Sequence, residues 1–393
     1  MGEIKTYKLK YSKESTRSIG MTIFIILFTY IDFSMKFFPA MNNRLILGLC
    51  LSMAILAALV PSAKNNISRE HSRFILFYFM FIFIMGLISI LYTKNFSMFR
   101  IFYITQGFFI TFALLKNKLN YKLIKYSTYA IIILFLYFIV SGINANNVFN
   151  IGSRNGLTFH SLFMLILYYI SIVQNNKKVD IIPSFIGLLI SLWATGRSGA
   201  LAFSFLFIVV ILEYIKSDQR KKIKMYSKIV FIILIILLLL YLLLNNNTMR
   251  TLFIEPLMKR FENEGFESPR SMMITGYIDE AKSNLLSFLF GAKYINIPII
   301  HYFNNNPHNS FINMHAQFGM IVWLLNLFLI VKTQLNFILT NRYFYFGLFL
   351  VILMRIFTDD LAFTELFDGI IYYFIFIGFF QLDKTNTSKS GGQ

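Results

Sequence analysis

Long apolar stretches follow one another along most of the chain, separated by short polar segments. A helix needs about twenty consecutive apolar residues to cross the hydrocarbon core of a bilayer. On this basis the sequence predicts twelve spans, near 19–38, 44–61, 73–92, 97–115, 122–142, 157–174, 180–195, 198–215, 226–244, 313–331, 343–358 and 362–380. The pattern therefore predicts an all-α polytopic membrane protein.

One polar region interrupts this pattern between the ninth and tenth spans. Leu252, Ile254 and Leu257 have the spacing of an amphipathic helix that lies on a membrane surface. A second helix is expected to begin at Ser268-Pro269, because serine is a frequent N-cap and proline fits the first helical position. It should continue through Arg270 to about Phe290, before Gly291. We expect nine spans in residues 1–244, a helical loop in 245–312, three spans in 313–383 and a disordered tail in 384–393.

Composition and charge are consistent with this prediction. Hydrophobic residues make up 57% of the chain and charged residues 14%, whereas charged residues approach about a quarter of a soluble domain. The formal net charge of +19 arises from Lys and Arg in alternate loops, which is the pattern of cytoplasmic loops and not of a nucleic-acid-binding surface. Both termini are therefore expected in the cytoplasm, with residues 245–312 outside.

Arginines are concentrated on the predicted outer side, at Arg154, Arg197, Arg250, Arg260 and Arg270. Guanidinium groups present forked, permanently charged donors that suit phosphate oxygens. A lipid-linked diphosphate held at the membrane surface would match them. Each arginine also fits a simpler interpretation, an interfacial anchor among lipid headgroups. That interpretation is weaker for Arg197, because small neighbours let the backbone approach a ligand and a helix is expected to begin there.

His308 is the leading candidate for a general base, because a neutral imidazole accepts protons near neutral pH. It follows three asparagines and a proline, and it precedes the tenth predicted span. His315 would share a helical face with His308 if one helix covered both. His160 fits either a functional or a packed polar residue. The alternatives are a loop histidine without a role, or a base among the loop acids Glu262, Glu264, Glu267, Asp279 and Glu280.

Several familiar site types are missing from the sequence. It contains no phosphate-binding loop motif, dinucleotide fingerprint, HExxH or GxSxG. Asp359-Asp360 is the nearest approach to a metal-binding acid pair, and we expect neither a metal nor a cofactor. Most ionisable residues of the predicted spans fall in the outer half of the membrane, whereas a transporter needs polar groups near the midplane.

Five segments together resemble the Wzy-type O-antigen polymerases and the related O-antigen ligases. They are Ser153-Arg154-Asn155-Gly156, the Thr195-Gly196-Arg197-Ser198-Gly199-Ala200 turn, the large outer loop, Arg270 with a helix ending in Leu289-Phe290-Gly291, and Pro307-His308-Asn309-Ser310-Phe311 with Gly319 downstream. The resemblance covers residues 150–330 by motif and the remainder by hydropathy. The polymerase loops have a long spacing between an arginine and a glycine, and here the glycine that follows Arg270 is Gly276 or Gly291. The resemblance therefore fits both a polymerase and a ligase.

The resemblance implies a GT-C-like glycosyltransferase in the bacterial inner membrane, acting on undecaprenyl-diphosphate-linked oligosaccharides at the periplasmic face. Arg197 and Arg270 would hold the diphosphate, and His308 would lie near the acceptor as a catalytic residue. Further residues that would bind diphosphate or glycan are Arg154, Arg250, Arg260, Asn309 and His315. Expected partners are the lipid-linked oligosaccharide, membrane lipids and a polysaccharide chain-length regulator. The alternatives are a ligase that transfers glycan to lipid A core, a flippase for the same lipid-linked units, and a membrane scaffold.

Overall fold

A computed structural model describes residues 2–35, 67–96, 101–149, 154–217, 269–363 and 365–382, together with residues 245, 250, 251, 255 and 258. These residues form helices and short turns, with no strand among them. The longer helices are α1 (Gly2–Met35), α2 (Arg69–Thr93), α3 (Ile101–Lys116), α4 (Tyr121–Val140), α5 (Asn155–Gln174), α6 (Ile182–Trp193), α7 (Arg197–Ser217), α8 (Pro269–Lys282), α9 (Leu285–Phe290), α10 (Pro298–Tyr302), α11 (Ser310–Leu339), α12 (Tyr343–Phe357) and α13 (Asp368–Phe379).

The helices follow the predicted apolar stretches. In the described part of the chain, α2, α4, α5, α7 and α11 are long and apolar enough to cross a membrane. Shorter apolar helical segments lie within α1, α3, α6, α12 and α13. The predicted spans near 44–61 and 226–244 lie outside the described residues. The described chain is thus all-helical and carries the apolar helices of a membrane protein.

The chain divides into two compact units, which are considered separately. The first comprises Met1–Phe28, Asn42–Asn120 and Pro269–Gln393. Within it, α13 packs against α3 and α11, and α11 packs against α2. Glycines permit the closest approaches, since a β-carbon added at Gly107 would lie 2.7 Å from Cβ of Asp368. Small residues let membrane helices pack closely in this way.

The second unit comprises Thr29–Met41 and Tyr121–Ser268. Its centre is α5, whose side chains are buried on nearly all sides. Helices α4 and α6 pack against α5, and α7 packs against α6. Gly187 of α6 lies so close to Phe203 of α7 that a β-carbon would come within 2.6 Å of that ring. The starts of α5 and α7 lie next to each other in this unit.

The segment from α8 to α10 packs against the end of α2 and the beginning of α11. The side chain of Asn95 donates to the carbonyl of Ala292 at 2.8 Å and accepts from the backbone N–H of Tyr294 at 2.7 Å. The hydroxyl of Ser89 donates to the carbonyls of Phe290 and Ala316. These polar contacts attach the segment to membrane helices of its own unit.

The helix expected from Ser268-Pro269 to Phe290 is instead two helices. Helix α8 begins at Pro269, as predicted, but it ends at Lys282. The side chain of Asn284 then accepts a hydrogen bond from the backbone N–H of Ser287 at 2.8 Å, so it caps a new helix, α9. Gly291 ends α9 with a φ of 104°, which agrees with its predicted role.

Helix α11 contains a break at Gly319, which has a φ of 77° and a ψ of 178°. This conformation is open to glycine and costly for residues with a β-carbon. A β-carbon at this position would also collide with the carbonyl oxygen of Leu289 at the end of α9. The side chain of Trp323, beyond the break, donates to the carbonyl of Phe311 at 3.0 Å. The hydropathy pattern did not indicate that the tenth predicted span would be interrupted.

Candidate functional site

His308 lies immediately before α11, in a left-handed backbone conformation with a φ of 49°. The backbone N–H of His308 donates to the side-chain oxygen of Asn306 at 2.8 Å, and this hydrogen bond stabilises the turn. Asn309 follows as the N-cap of α11, and its side chain accepts from the backbone N–H groups of Phe311 and Ile312. His308 is therefore outside the helix, so the condition for a helical face shared with His315 is not met.

The ring of His308 faces a buried carboxylate from a distant part of the chain. Nδ1 of His308 lies 3.3 Å from Oδ1 of Asp359. The side chain of His308 is 28% exposed, and that of Asp359 is 9% exposed. Because a carboxylate accepts hydrogen bonds, this contact places a proton on Nδ1 and leaves Nε2 of a neutral ring as its basic atom.

The second carboxylate oxygen of Asp359 is held by an arginine. Nη1 and Nη2 of Arg355 lie 3.3 Å and 3.2 Å from Oδ2 of Asp359. Arg355 is fully buried in the last turns of α12. Asp359 thus bridges a buried guanidinium and a partly exposed imidazole.

The charges around Asp359 keep its carboxylate ionised. Burial alone would raise the pKa of Asp359, because removal from water disfavours the charged form. The hydrogen bond from His308 and the charge of Arg355 act in the opposite direction and are stronger together. Arg270, in the first turn of α8, adds to this effect. The pKa of Asp359 consequently lies well below its usual range.

Polar side chains at the start of α11 fix the loop that carries Asp359. The hydroxyl of Ser310 donates to the carbonyl of Asp359 at 2.8 Å and accepts from the backbone N–H of Leu361 at 2.9 Å. The side chain of Asn313 donates to the carboxylate of Asp360 at 2.5 Å. The histidine and the aspartate are therefore connected both through their side chains and through the backbone that carries them.

His315 has a structural environment of its own. Its Nε2 lies 2.9 Å from the carbonyl of Phe288, so it donates there, and its Nδ1 accepts from the hydroxyl of Tyr277 at 2.7 Å. Burial raises the pKa of Tyr277 well above its ordinary value, so the hydroxyl keeps its proton. The buried His315 therefore joins α8 and α9 to α11.

In the second unit, Arg154 and Arg197 lie at the neighbouring starts of α5 and α7. Nη1 of Arg154 donates to the hydroxyl of Thr195 at 2.7 Å, two residues before Arg197. Helix α7 begins at Arg197, as predicted. Gly199 lies against Thr158, where a β-carbon would come within 2.9 Å of the threonine side chain. This contact brings the first turns of the two helices together.

For two arginines and three acids of the predicted outer loop, a role in the site stays a prediction. Arg250 is exposed, and its Nε lies 3.9 Å from the carboxylate of Glu255. Such exposed pairs contribute little stability. Arg260 lies outside the described residues, as do the loop acids Glu262, Glu264 and Glu267.

His160 is fully buried in α5, and both of its nitrogens have hydrogen-bond partners. Nδ1 lies 2.7 Å from the carbonyl of Gly156, and Nε2 lies 2.8 Å from Oδ2 of Asp32. The side chain of Asp32 is 21% exposed. This pair belongs entirely to the second unit.

The sequence did not single out Asp359 or Arg355 as partners of His308. Asp359 was considered only as part of the Asp359-Asp360 acid pair. The i, i+4 spacing of Arg355 and Asp359 on an apolar helix end was the available signal for an ion pair. The connection to His308 depends on a tertiary contact across 51 residues, which the sequence pattern did not contain.

Among the described residues, no three His, Cys, Asp or Glu side chains come together in a way that could hold a metal ion. Neither models of protein families nor curated proteins gave a match to this chain. The assignment of function therefore depends on the residues themselves.

Proposed function

We propose that this protein is a membrane glycosyltransferase that polymerises oligosaccharide repeat units linked to undecaprenyl diphosphate. The observation that carries the proposal is the His308–Asp359–Arg355 arrangement, with Arg270 adding positive charge at the same aspartate. It combines a partly exposed base immediately before α11 with cationic groups from the end of α12 and the start of α8. The resemblance in sequence around Arg197, Arg270 and His308 supports the same function.

The proposal includes a topology of twelve spans in a GT-C-like fold, with both termini in the cytoplasm. Residues 245–312 and His308 then lie on the periplasmic side of the inner membrane. The lysine-rich loops support this orientation. A lipid-linked substrate would have its diphosphate at the same level.

In the proposed reaction, His308 acts as the general base toward the acceptor sugar. Its Nε2 takes the proton from the attacking hydroxyl, whose oxygen forms the new bond to the anomeric carbon of the donor glycan. Asp359 holds the ring through Nδ1 and stabilises the imidazolium that forms. A base positioned in this way contributes about 10²- to 10⁴-fold to the rate.

The bond from the anomeric carbon to the diphosphate oxygen breaks in the same step, and undecaprenyl diphosphate leaves with the electron pair. Negative charge on the leaving group grows as the bond breaks. Guanidinium groups already in place stabilise this charge more in the transition state than in the ground state. We assign this role to Arg270, which acts on the same aspartate as His308. For Arg197 and Arg154, which belong to the second unit, binding of diphosphate stays a prediction from the sequence resemblance. Displacement from the opposite face would invert the anomeric centre.

The test is extension of a lipid-linked repeat unit by the purified full-length protein in nanodiscs, measured as a ladder on a gel. His308→Ala and Arg270→Ala should each reduce extension by about a hundredfold or more. His301→Ala and Arg73→Ala are matched controls, because both residues are exposed in the same unit, and they should extend normally.

Three results would contradict the proposal. Extension at the wild-type rate by both His308→Ala and Arg270→Ala would remove the assigned roles. Transfer of finished glycan to lipid A core without extension of single units would indicate a ligase. Movement of labelled lipid-linked units across sealed vesicles without extension would indicate a flippase.

A further inference from the structure

Helix α9 has the reverse of the polarity expected at an aqueous surface. Leu285, Leu286 and Phe288 are 70%, 52% and 41% exposed, whereas Ser287 is 1% exposed. A surface helix in water turns its apolar side chains toward the protein and its polar ones outward. Exposed apolar side chains in a row indicate contact with a membrane or with another protein.

The buried serine of α9 faces the end of α2. The hydroxyl of Tyr92 lies 3.3 Å from that of Ser287 and 3.4 Å from the side-chain oxygen of Asn284. The ring of Tyr92 also packs near that of Phe290, with centroids 6.2 Å apart. The polar side of α9 is therefore used for attachment to a membrane helix, and its apolar side is left facing away.

The outward face of α2 beside α9 is also apolar. Ile84, Ile88 and Leu91 are large exposed side chains on this helix, which is long and apolar enough to cross a membrane. Side chains of this kind face lipid tails when a helix spans a bilayer. Helix α9 thus contacts the end of a helix whose own exposed side chains suit lipid tails.

The length of α2 gives the depth of α9. Its 25 residues extend about 37 Å at 1.5 Å per residue, and the hydrocarbon core is about 30 Å thick. The last turns of α2, which contact α9, therefore lie at the boundary between hydrocarbon and headgroups. Interfacial helices bury their apolar faces at this depth.

Lysines lie near this apolar surface, as expected at the headgroup level. Lys94, which ends α2, and Lys282, which ends α8, are both exposed. Nζ of Lys293 lies 4.8 Å from the centre of the Tyr92 ring. Long basic side chains reach lipid phosphates from such positions.

From these observations we infer that α9 is an interfacial membrane helix, with Leu285, Leu286 and Phe288 inserted among the lipids at the end of α2. The occupant of this surface is the bilayer itself. The inference is independent of the proposed reaction.

The test places an environment-sensitive fluorophore at Leu286→Cys in the full-length protein, after Cys50→Ser removes the native thiol. The protein is reconstituted into phosphatidylglycerol–phosphatidylethanolamine vesicles that contain either plain or spin-labelled lipids. The matched control is Asp279→Cys, an exposed polar position on α8. We expect blue-shifted emission at position 286 and quenching by spin-labelled lipid several-fold stronger than at position 279.

Two outcomes would overturn the inference. If the label at position 286 is quenched by aqueous iodide as strongly as the label at position 279, the helix lies in water. If it is protected from both lipid and aqueous quenchers, a protein surface covers α9. Loss of glycan extension in the labelled protein would not affect either reading, because the measurement reports only the surroundings of the label.

Discussion

His308 with Asp359 in the first unit and His160 with Asp32 in the second join the same two kinds of side chain, but they differ in which member is buried. In the first pair the carboxylate is buried beside Arg355 and the imidazole is partly exposed. In the second pair the imidazole is fully buried and the carboxylate is partly exposed.

This difference decides what each histidine is able to do. Nδ1 of His308 faces Asp359, so Nε2 is its basic atom. In His160, Nδ1 is committed to the carbonyl of Gly156 and Nε2 to Asp32. A fully buried histidine whose two nitrogens both face protein groups is suited to holding helices together and not to taking a proton from a substrate. The burial and partners of a histidine are therefore more informative than its proximity to an aspartate.

The largest expected effect comes from the same substitution at the two histidines. His308→Gln should reduce glycan extension by about 10²- to 10⁴-fold, because the amide is not a base. His160→Gln should change extension by about twofold at most once rates are normalised to folded protein. Equal losses in the two variants would show that the comparison assigns the wrong roles.

A smaller effect is expected when the carboxylate of the first pair is neutralised. Asp359→Asn removes the charge that orients His308 and leaves the Arg355 guanidinium buried without its counter-ion. We expect a smaller loss of extension than in His308→Gln, because the base itself is kept, and a fall in unfolding stability of roughly 3–5 kcal/mol. The measurements are the gel ladder and thermal unfolding in detergent.

Asp360→Asn is the matched control for this variant. The amide oxygen keeps an acceptor for the side chain of Asn313. Near-normal extension is expected. Should Asp360→Asn lose as much activity as Asp359→Asn, the effect would belong to the loop and not to the orientation of His308.

The second pair should affect stability and leave chemistry nearly unchanged. His160→Leu removes the ring that links α5 to Asp32, and the carboxylate loses its buried donor. The expected cost is about 1–3 kcal/mol, or a fall of several degrees in the thermal midpoint. Asp32→Asn should cost less, since its amide oxygen still accepts from Nε2. A larger loss for Asp32→Asn than for His160→Leu would contradict this account.

The smallest effect concerns pH. Because the pKa of Asp359 is below its unfolded value of about 3.9, its contribution to stability is fully present above that value and is lost as pH falls through the folded pKa. The difference in thermal midpoint between wild type and Asp359→Asn should not shrink between pH 7 and pH 5. It should shrink below about pH 4. A difference that shrinks between pH 7 and pH 5 would show that Asp359 is protonated there.

The sequence predicted much of the fold, because apolar stretches identify membrane helices directly. The start of α8 at Pro269, the start of α7 at Arg197 and the end of α9 at Gly291 all follow local rules for helix termini. The break before Leu285 was missed, although Asn284 is a good N-cap residue. An asparagine can be recognised as an N-cap only when the residues after it are known to form a helix.

The sequence drew attention to only some of the residues that meet around Asp359. His308 and Arg270 were selected for their chemistry, and both lower the pKa of Asp359. The choice of Asp359 as the partner depends on packing between the start of α11 and the loop after α12, through Ser310 and Asn313. Hydropathy and local spacing do not contain such contacts. His315 was selected as a ligand-binding residue, whereas its hydrogen bonds to Tyr277 and Phe288 connect helices.

The break at Gly319 divides the longest described membrane helix into parts with separate tasks. Residues 320–339 measure about 30 Å as a helix, which equals the hydrocarbon thickness. The portion after the glycine is therefore long enough on its own to cross a bilayer. The nine residues before the glycine are not needed for that length. They contact the loop after α12 and so position His308 relative to Asp359.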